Sequence, residues 1–245
     1  MNPRIVLITG ASSGLGLSLA ENFLQRGDIV YGVTQTKRNW PGARKRLNES
    51  SSRFLLYQGD VSREPQVKKL ISKIAKAKGR IDILINNAGY ANRPIQTERE
   101  SLKELQKNIS HNLISTFLMT KYALPLFKKQ KSGWIINVSS MAGKRAVPHL
   151  TAYSATKFGV VAISQSVAKE NPDGGFKCIT VCPGGMNTTL RSKLFGKADA
   201  EKQQSPDFVA AKILDVIDGT LDVPSGGDIV IRHGQVTAIN SAPEN

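Results

Sequence analysis

Apolar and polar positions along the chain follow two rhythms. Short, nearly unbroken apolar runs at Arg4 to Thr9, Ile29 to Thr34, Phe54 to Tyr57, Ile81 to Ile85, Trp134 to Val138, Phe176 to Val181 and Ile229 to Ile231 have the length and β-branched content of buried strands. Helical spacing fills the intervals. Leu19, Phe23 and Leu24 follow the first run, and Val67, Leu70, Ile71 and Ile74 share one face while Lys68, Lys69, Lys73, Lys76 and Lys78 cover the others. Leu102 to Lys129 reads as mostly helical with a kink or break at Pro125, Ala152 to Ala168 has helix spacing, and another helix begins near Pro206. No linker interrupts this alternation. It predicts one α/β domain over residues 1–245, a doubly wound parallel sheet of about seven strands with helices on both faces. Residues 183–206 are expected to form a short substrate lid, and 236–245 a polar, frayed tail.

Ligands of such a sheet gather at the carboxyl ends of its strands, where four segments carry candidate chemistry. The first strand runs into a glycine turn, Gly10 to Gly16, that opens a helix. Glycines let the backbone approach a pyrophosphate, and the helix N-terminus offers it free N–H groups. Asn86-Asn87-Ala88-Gly89 follows the fourth strand, Ser140 ends the fifth, and Pro183-Gly184-Gly185-Met186-Asn187-Thr188 follows the sixth. Tyr153 and Lys157 are i and i+4 on the Ala152 helix, so both lie on one face. Bringing a phenol from pH 10 to near 7 takes about 4 kcal/mol. A cation about 4 Å away at an effective dielectric of ~20 supplies roughly that, so Lys157 is expected to lower the Tyr153 pKa. Ser140, thirteen residues before Tyr153, is placed to donate a hydrogen bond to a carbonyl oxygen gaining negative charge.

With Ser140, Tyr153 and Lys157 in place, the chain resembles the short-chain dehydrogenase/reductase family, and the resemblance spans nearly its whole length. It implies a Rossmann-type domain that transfers hydride between a nicotinamide cofactor and a carbonyl or alcohol. On this resemblance Tyr153 is the proton donor, Lys157 lowers its pKa and holds the nicotinamide ribose, Ser140 orients the substrate oxygen, and Asn112 steadies a water in the proton relay. Thr9-Gly10-Ala11-Ser12-Ser13-Gly14-Leu15-Gly16 matches the family's phosphate turn, which makes Gly10, Ser12, Ser13, Gly14, Leu15 and Gly16 cofactor contacts. Asp60 and Val61 correspond to the adenine contact, Asn87, Ala88 and Gly89 to the motif beneath the cofactor, and Pro183, Gly184, Met186 and Thr188 to the segment against the nicotinamide. The second strand ends in Thr34-Gln35-Thr36-Lys37-Arg38 without a carboxylate. Hydroxyls and cations at Thr34, Thr36, Lys37 and Arg38 suit the 2′-phosphate, so NADPH is favoured over NADH. Family members often pair through helices matching Leu113 to Phe127 and Ala152 to Ala168, which implies a homodimer or homotetramer.

Gly10 to Gly14 also spells the Gly-x-Ser-x-Gly of a hydrolase elbow, with Ser12 as nucleophile and His233 following the last strand. That elbow normally follows a central strand deep in the chain, and a hydrolase leaves Tyr153, Lys157 and Asn86 unexplained. A reductase of small ketones or aldehydes is therefore the expected function. The alternatives are a 3-oxoacyl-[acyl-carrier-protein] reductase, whose usual Asp-Gly-Gly ending is missing from Ile231-Arg232-His233-Gly234, and a nucleotide-sensing or nucleic-acid-binding protein without catalysis.

Charge is the feature that fits least. The chain carries 34 Lys and Arg against 19 Asp and Glu, a net charge of +15. Much of it lies on polar helix faces, so the expectation is weak attraction to acidic partners without specific nucleic-acid recognition. No apolar stretch reaches bilayer length, and the N-terminus enters the first strand without a signal-like region, so a cytoplasmic protein without a membrane partner is expected. Cys178 and Cys182 share one strand about 13 Å apart, too far for a disulfide. They read as core residues, and no metal site is expected. Lys144 and Arg145, just after Ser140, are positioned to meet an anionic substrate or solvent.

Overall fold

The computed structural model describes residues 2–47 and 52–244. Eight strands, β1 (Ile5–Thr9), β2 (Ile29–Thr34), β3 (Phe54–Gln58), β4 (Ile83–Asn86), β5 (Trp134–Val138), β6 (Lys177–Pro183), β7 (Asp228–Arg232) and β8 (Gln235–Asn240), form one sheet in the order β3-β2-β1-β4-β5-β6-β7-β8. The first seven are parallel. Successive side chains alternate faces, so Val6 and Ile8 enter one core while Ile5 and Leu7 enter the other. Helices α1 (Gly14–Gln25) and α9 (Pro206–Ile217) cover the first face through Leu15, Leu19, Phe23, Val209 and Ile213. The second is covered by α3 (Glu64–Lys78), α5 (Ser115–Gln130) and α6 (Thr151–Lys169), through Ile74, Met119, Phe127 and Val167 among others. On α3 the four apolar positions are buried and Gly79 ends the helix at φ +71. This is the amphipathic stripe read from the sequence.

Two departures bear on the site. The first part of the tail expected to fray over 236–245 instead joins Gln235 in β8, antiparallel to β7, so the sheet of the described residues has eight strands. The free edge of β7 supplies the partner, and Asn240 donates to the buried Asp228 at 3.0 Å. Secondly, Pro125 lies inside α5 without ending it. The irregularity instead falls between α4 (Leu102–Asn108) and α5, where Ile109–Ile114 forms a π-helical turn. Before α3, the Ser62 hydroxyl donates to Asp60 at 2.6 Å. The connection after β2 contains α2 (Trp40–Arg46). The segment 183–206, expected to form the lid, holds α7 (Thr189–Phe195) and α8 (Lys197–Glu201).

Candidate active site

Strand order reverses between β1 and β4, and the crevice at their carboxyl ends is closed by a hydrogen-bond hub on Thr9. Its hydroxyl accepts from the amides of Asn87 at 2.9 Å and Ala88 at 2.8 Å, while the Asn87 side chain donates to the Thr9 carbonyl at 2.9 Å. This locks the turn at Gly10 against the Asn87 segment. A Cβ on Gly16 would stand 2.6 Å from Asn87 Nδ2, so only glycine permits this approach. Gly14 has φ +51, and a Cβ there would meet Thr188 Cγ2 at 3.2 Å. Ser13 is the N-cap residue of α1 but makes no side-chain cap, which leaves the first-turn N–H groups without a side-chain acceptor. Ser12 is buried, Ser13 is exposed, and Leu15 lies in the core, so Leu15 can offer a ligand only its backbone.

At the end of β2, Thr34 is buried and its hydroxyl is already engaged. It donates to the Thr36 carbonyl at 2.9 Å and accepts from Trp40 Nε1 at 2.7 Å. The exposed group is therefore Thr36, Lys37 and Arg38, with Lys37 Nζ lying 5.4 Å from the Trp40 ring centroid. Asp60 accepts from Ser62 and, at 3.2 Å, from Gln35. Burial pushes its pKa up, but the Ser62 and Gln35 hydrogen bonds outweigh that and leave it lowered. Val61 packs against the second core. Trp40 was not among the sequence candidates. A lone tryptophan in a polar segment after a strand is the signal that pointed to it.

The catalytic candidates meet at the ends of β5 and β6. Ser140 opens the 3₁₀ turn Met141–Gly143, and its Oγ accepts from the Ala142 amide at 3.1 Å and makes a hydrogen bond with Tyr153. Lys157 is 4% exposed; its Nζ donates to the Val138 carbonyl at 2.9 Å and lies 5.6 Å from the Tyr153 ring centroid. Gly89 lies close by, since a Cβ there would meet Asn112 Oδ1 at 3.2 Å and Lys157 Nζ at 3.7 Å. Asn112, in the π turn, accepts from the Tyr90 amide at 2.7 Å and donates to the Tyr90 carbonyl at 2.9 Å and to Thr156 at 3.0 Å. π turns often mark functional positions, and here the widened turn holds the strand extension that carries Gly89.

The electrostatics differ from the expected lowering of the Tyr153 pKa. Burial raises it, and the Ser140 hydrogen bond only partly offsets that. Burial also brings Lys157 down to about 8, so near neutrality its charge is weakly held. The ammonium is directed at a backbone carbonyl and sits beside the phenol ring, a dry arrangement in which desolvation outweighs attraction.

Ser140 and Tyr153 line a cavity of about 790 Å³, together with Pro183, Gly184, Met186 and Thr188. Lys144 does not line it and pairs instead with buried Asp228 at 2.7 Å, whereas Arg145 does. His233 also lines the cavity, at the β7–β8 turn, but its ring contacts Arg232 at 2.9 Å and makes no hydrogen bond to Ser12, so no hydrolase pair forms. Cys178 and Cys182 are free and buried, and burial pushes both thiols up to about 12. Among the described residues no helix is long and apolar enough to cross a membrane.

The model of the short chain dehydrogenase family matches residues 4–199. The chain belongs to that family. It is an oxidoreductase of the kind that acts on CH–OH and C=O groups. Over 228 residues, 93% of either chain, it is 31% identical to an NADPH-dependent pterin aldehyde reductase of Arabidopsis thaliana. Over 195 residues, 80% of this chain and 79% of the other, it is 33% identical to the 3-oxoacyl-[acyl-carrier-protein] reductase FabG of Thermotoga maritima. Among solved structures, levodione reductase superposes with a TM-score of 0.87 at 26% identity, covering 95% of this chain and 97% of that one. ElxO with NADP bound gives 0.84 at 28% identity, covering 94% and 97%. The single mixed α/β domain read from the strand and helix pattern is thus the dehydrogenase fold.

Proposed function

We propose that this oxidoreductase reduces a small ketone or aldehyde to an alcohol with NADPH, Tyr153 serving as the proton donor. The observation that carries the reading is the joining of Ser140 and Tyr153 on the wall of one cavity, with buried Lys157 beside the Tyr153 ring. The crevice fits a dinucleotide. A Cβ at Gly10, Gly14 or Gly16 would crowd its neighbours, the α1 N-terminus has no side-chain cap, and cations rather than acids stand after β2. NADPH, when bound, supplies the hydride. Gly10, Ser12, Ser13, Gly14, Leu15 and Gly16 would hold its pyrophosphate, Thr36, Lys37 and Arg38 its 2′-phosphate, and Asp60 and Val61 its adenine. Asn87, Ala88, Gly89, Pro183, Gly184, Met186, Thr188 and Lys157 would hold the nicotinamide end. Thr34 takes part by fixing the loop.

Ser140 donates a hydrogen bond to the substrate oxygen, and Tyr153, whose raised pKa keeps it protonated at neutral pH, gives that oxygen a proton as charge develops. A protonated phenol suits reduction. In the reverse direction Tyr153 must first lose its proton, and Lys157, whose own proton burial makes the easier of the two to lose, stabilises the phenolate only while it stays protonated. Asn112 acts from behind, through Tyr90 and Gly89. The second reading, reduction of a 3-oxoacyl group on acyl carrier protein, is favoured by the likeness to FabG. Homo-oligomer formation is supported by the exposed Ile114, Phe117 and Phe158, 40%, 52% and 45% accessible, on the helices expected to pair. A cytoplasmic setting fits two free, buried thiols.

The test is NADPH consumption across a panel of ketones and aldehydes, with acetoacetyl-acyl carrier protein included. An active carbonyl should lose about 10² to 10⁴ in kcat in Tyr153→Phe, while circular dichroism and NADPH binding stay as in the wild type. Near-normal turnover by that variant would remove Tyr153 from the reaction.

A further inference from the structure

The charged groups around the cavity are all of one sign. Arg145, Arg191, Lys202 and Arg232 line it, with His233, and among the described residues no Asp or Glu does. One of the four cations is matched. Arg191 pairs with Asp199 behind the wall, with Nη2 at 3.1 Å from Oδ2, and this hydrogen bond, helped by the nearby charge of Lys202, holds the Asp199 carboxyl down. The Arg232 guanidinium meets the His233 ring at 2.9 Å. Among the described residues, Arg145, Lys202 and Arg232 have no carboxylate within ion-pair distance. Among those residues, four cations against one carboxylate leave three positive charges unbalanced around the cavity.

These cations are not those that would face the dinucleotide. Of the segments proposed to hold the dinucleotide, the Gly10–Gly16 turn, 34–38 and 87–89 do not contribute to the cavity lining, whereas the nicotinamide-end group Pro183, Gly184, Met186 and Thr188 does. The same wall carries the apolar residues Val147, Leu150, Leu190, Phe195 and Phe208 beside the polar Gln203, Gln204 and Ser205. A low-dielectric cleft lined by one sign of charge focuses its field on a ligand of the opposite sign. Resting on the carbonyl-reductase reading above, we propose that the substrate is an anionic carbonyl compound. Its carbonyl lies at Ser140 and Tyr153, an apolar spacer crosses the cleft, and a carboxylate or phosphate reaches Arg145, Lys202 and Arg232.

Two measurements on the full-length protein test this. In the first, calorimetry without turnover compares 4-phenylbutanoate, phenylpropyl phosphate and the neutral 4-phenylbutanamide. At least one anion should bind about tenfold or more tighter than the amide, and the advantage should shrink as salt is raised. Equal binding of all three overturns the proposal, whatever the enzyme reduces. Which anion binds better separates a carboxylate from a phosphate ester. In the second, kcat/KM with NADPH is compared between ω-oxo acids and their amides. The acid-to-amide ratio should exceed about ten and be carried by KM, and it should fall below about three in Arg145→Gln/Lys202→Gln and in Arg232→Gln. Amides reduced as well as acids would sink the anionic substrate and leave the carbonyl reductase standing. No carbonyl reduced, with tight anion binding retained, would sink the reductase reading and the substrate assignment with it.

Discussion

Lys157 shows how the site sets function against stability. Its ammonium is buried against the Val138 carbonyl, and its pKa falls from 10.5 to about 8. Between those values the unfolded chain holds the proton and the folded chain does not, so this group makes stability rise with pH across pH 8 to 10.5. Below pH 8 the burial penalty is present in full, at most about 3 kcal/mol. Lys157→Met should therefore be more stable at pH 7, by about 1 to 3 kcal/mol once the orphaned Val138 carbonyl is allowed for. The gain should vanish towards pH 10.5, while turnover is lost. Urea melts of both proteins at pH 7 and pH 10 check this, because the difference cancels the titration of Cys178 and Cys182. A variant less stable than wild type at pH 7 would mean that the ammonium is well solvated in its pocket. That Ser140, Tyr153 and Lys157 meet was legible in the sequence because spacing fixes which face a residue occupies. The direction of the Tyr153 shift was not, since it depends on how much water the folded site excludes.

Among the elements, the parallel strands were legible and the antiparallel edge was not. β1, β2 and β4 to β7 lie inside the sheet and, like the half-buried edge strand β3, read as apolar runs, whereas β8 at the other edge alternates exposed and half-buried residues from Gln235 to Asn240 and reads as a tail. Its structure comes from the unpaired edge of β7, a partner that local pattern does not reveal. The π turn at Ile109–Ile114 was hidden for the same reason, because its bonds run from Asn112 to Tyr90 and Thr156, elsewhere in the chain. The β2–α2 connection carries a prediction of its own. Trp40 fixes Thr34, and so places Thr36, Lys37 and Arg38 at the surface with no acid among them. NADPH should be preferred over NADH by about tenfold or more, since one charge-assisted hydrogen bond is worth roughly 1.5 to 3 kcal/mol. Comparison of kcat/KM for both cofactors in wild type and in Lys37→Ala/Arg38→Ala decides it. Equal efficiency in the wild type would refute the preference. A preference that survives the double substitution would move the discrimination to Thr36 or the glycine turn.

Across the whole molecule, the net charge of +15 is unevenly placed. α3 and α5 pack side by side and run antiparallel to the strands, which puts their carboxyl ends at the edge of the sheet opposite the active site. Lys76, Lys78, Lys128 and Lys129 occupy those last turns, where cations complement the helix dipole. Lys131 follows in a left-handed cap. Among the described residues none of these five has an ion-pair partner. These cations sit on the ends of two helices, an arrangement of diffuse charge that attracts polyanions through their phosphates. Duplex DNA should therefore bind with a Kd of roughly 10⁻⁴ to 10⁻⁶ M at physiological salt, without sequence preference. Fluorescence anisotropy at 50 to 300 mM salt should give a linear fall of log K with log salt, and Lys128→Gln/Lys129→Gln should flatten that slope by about one to two. The patch lies away from the cavity, so saturating DNA should leave the kcat of carbonyl reduction unchanged. A complex that resisted salt and selected its sequence would instead show that the basic edge is a recognition surface, and loss of kcat on DNA binding would show that it communicates with the site.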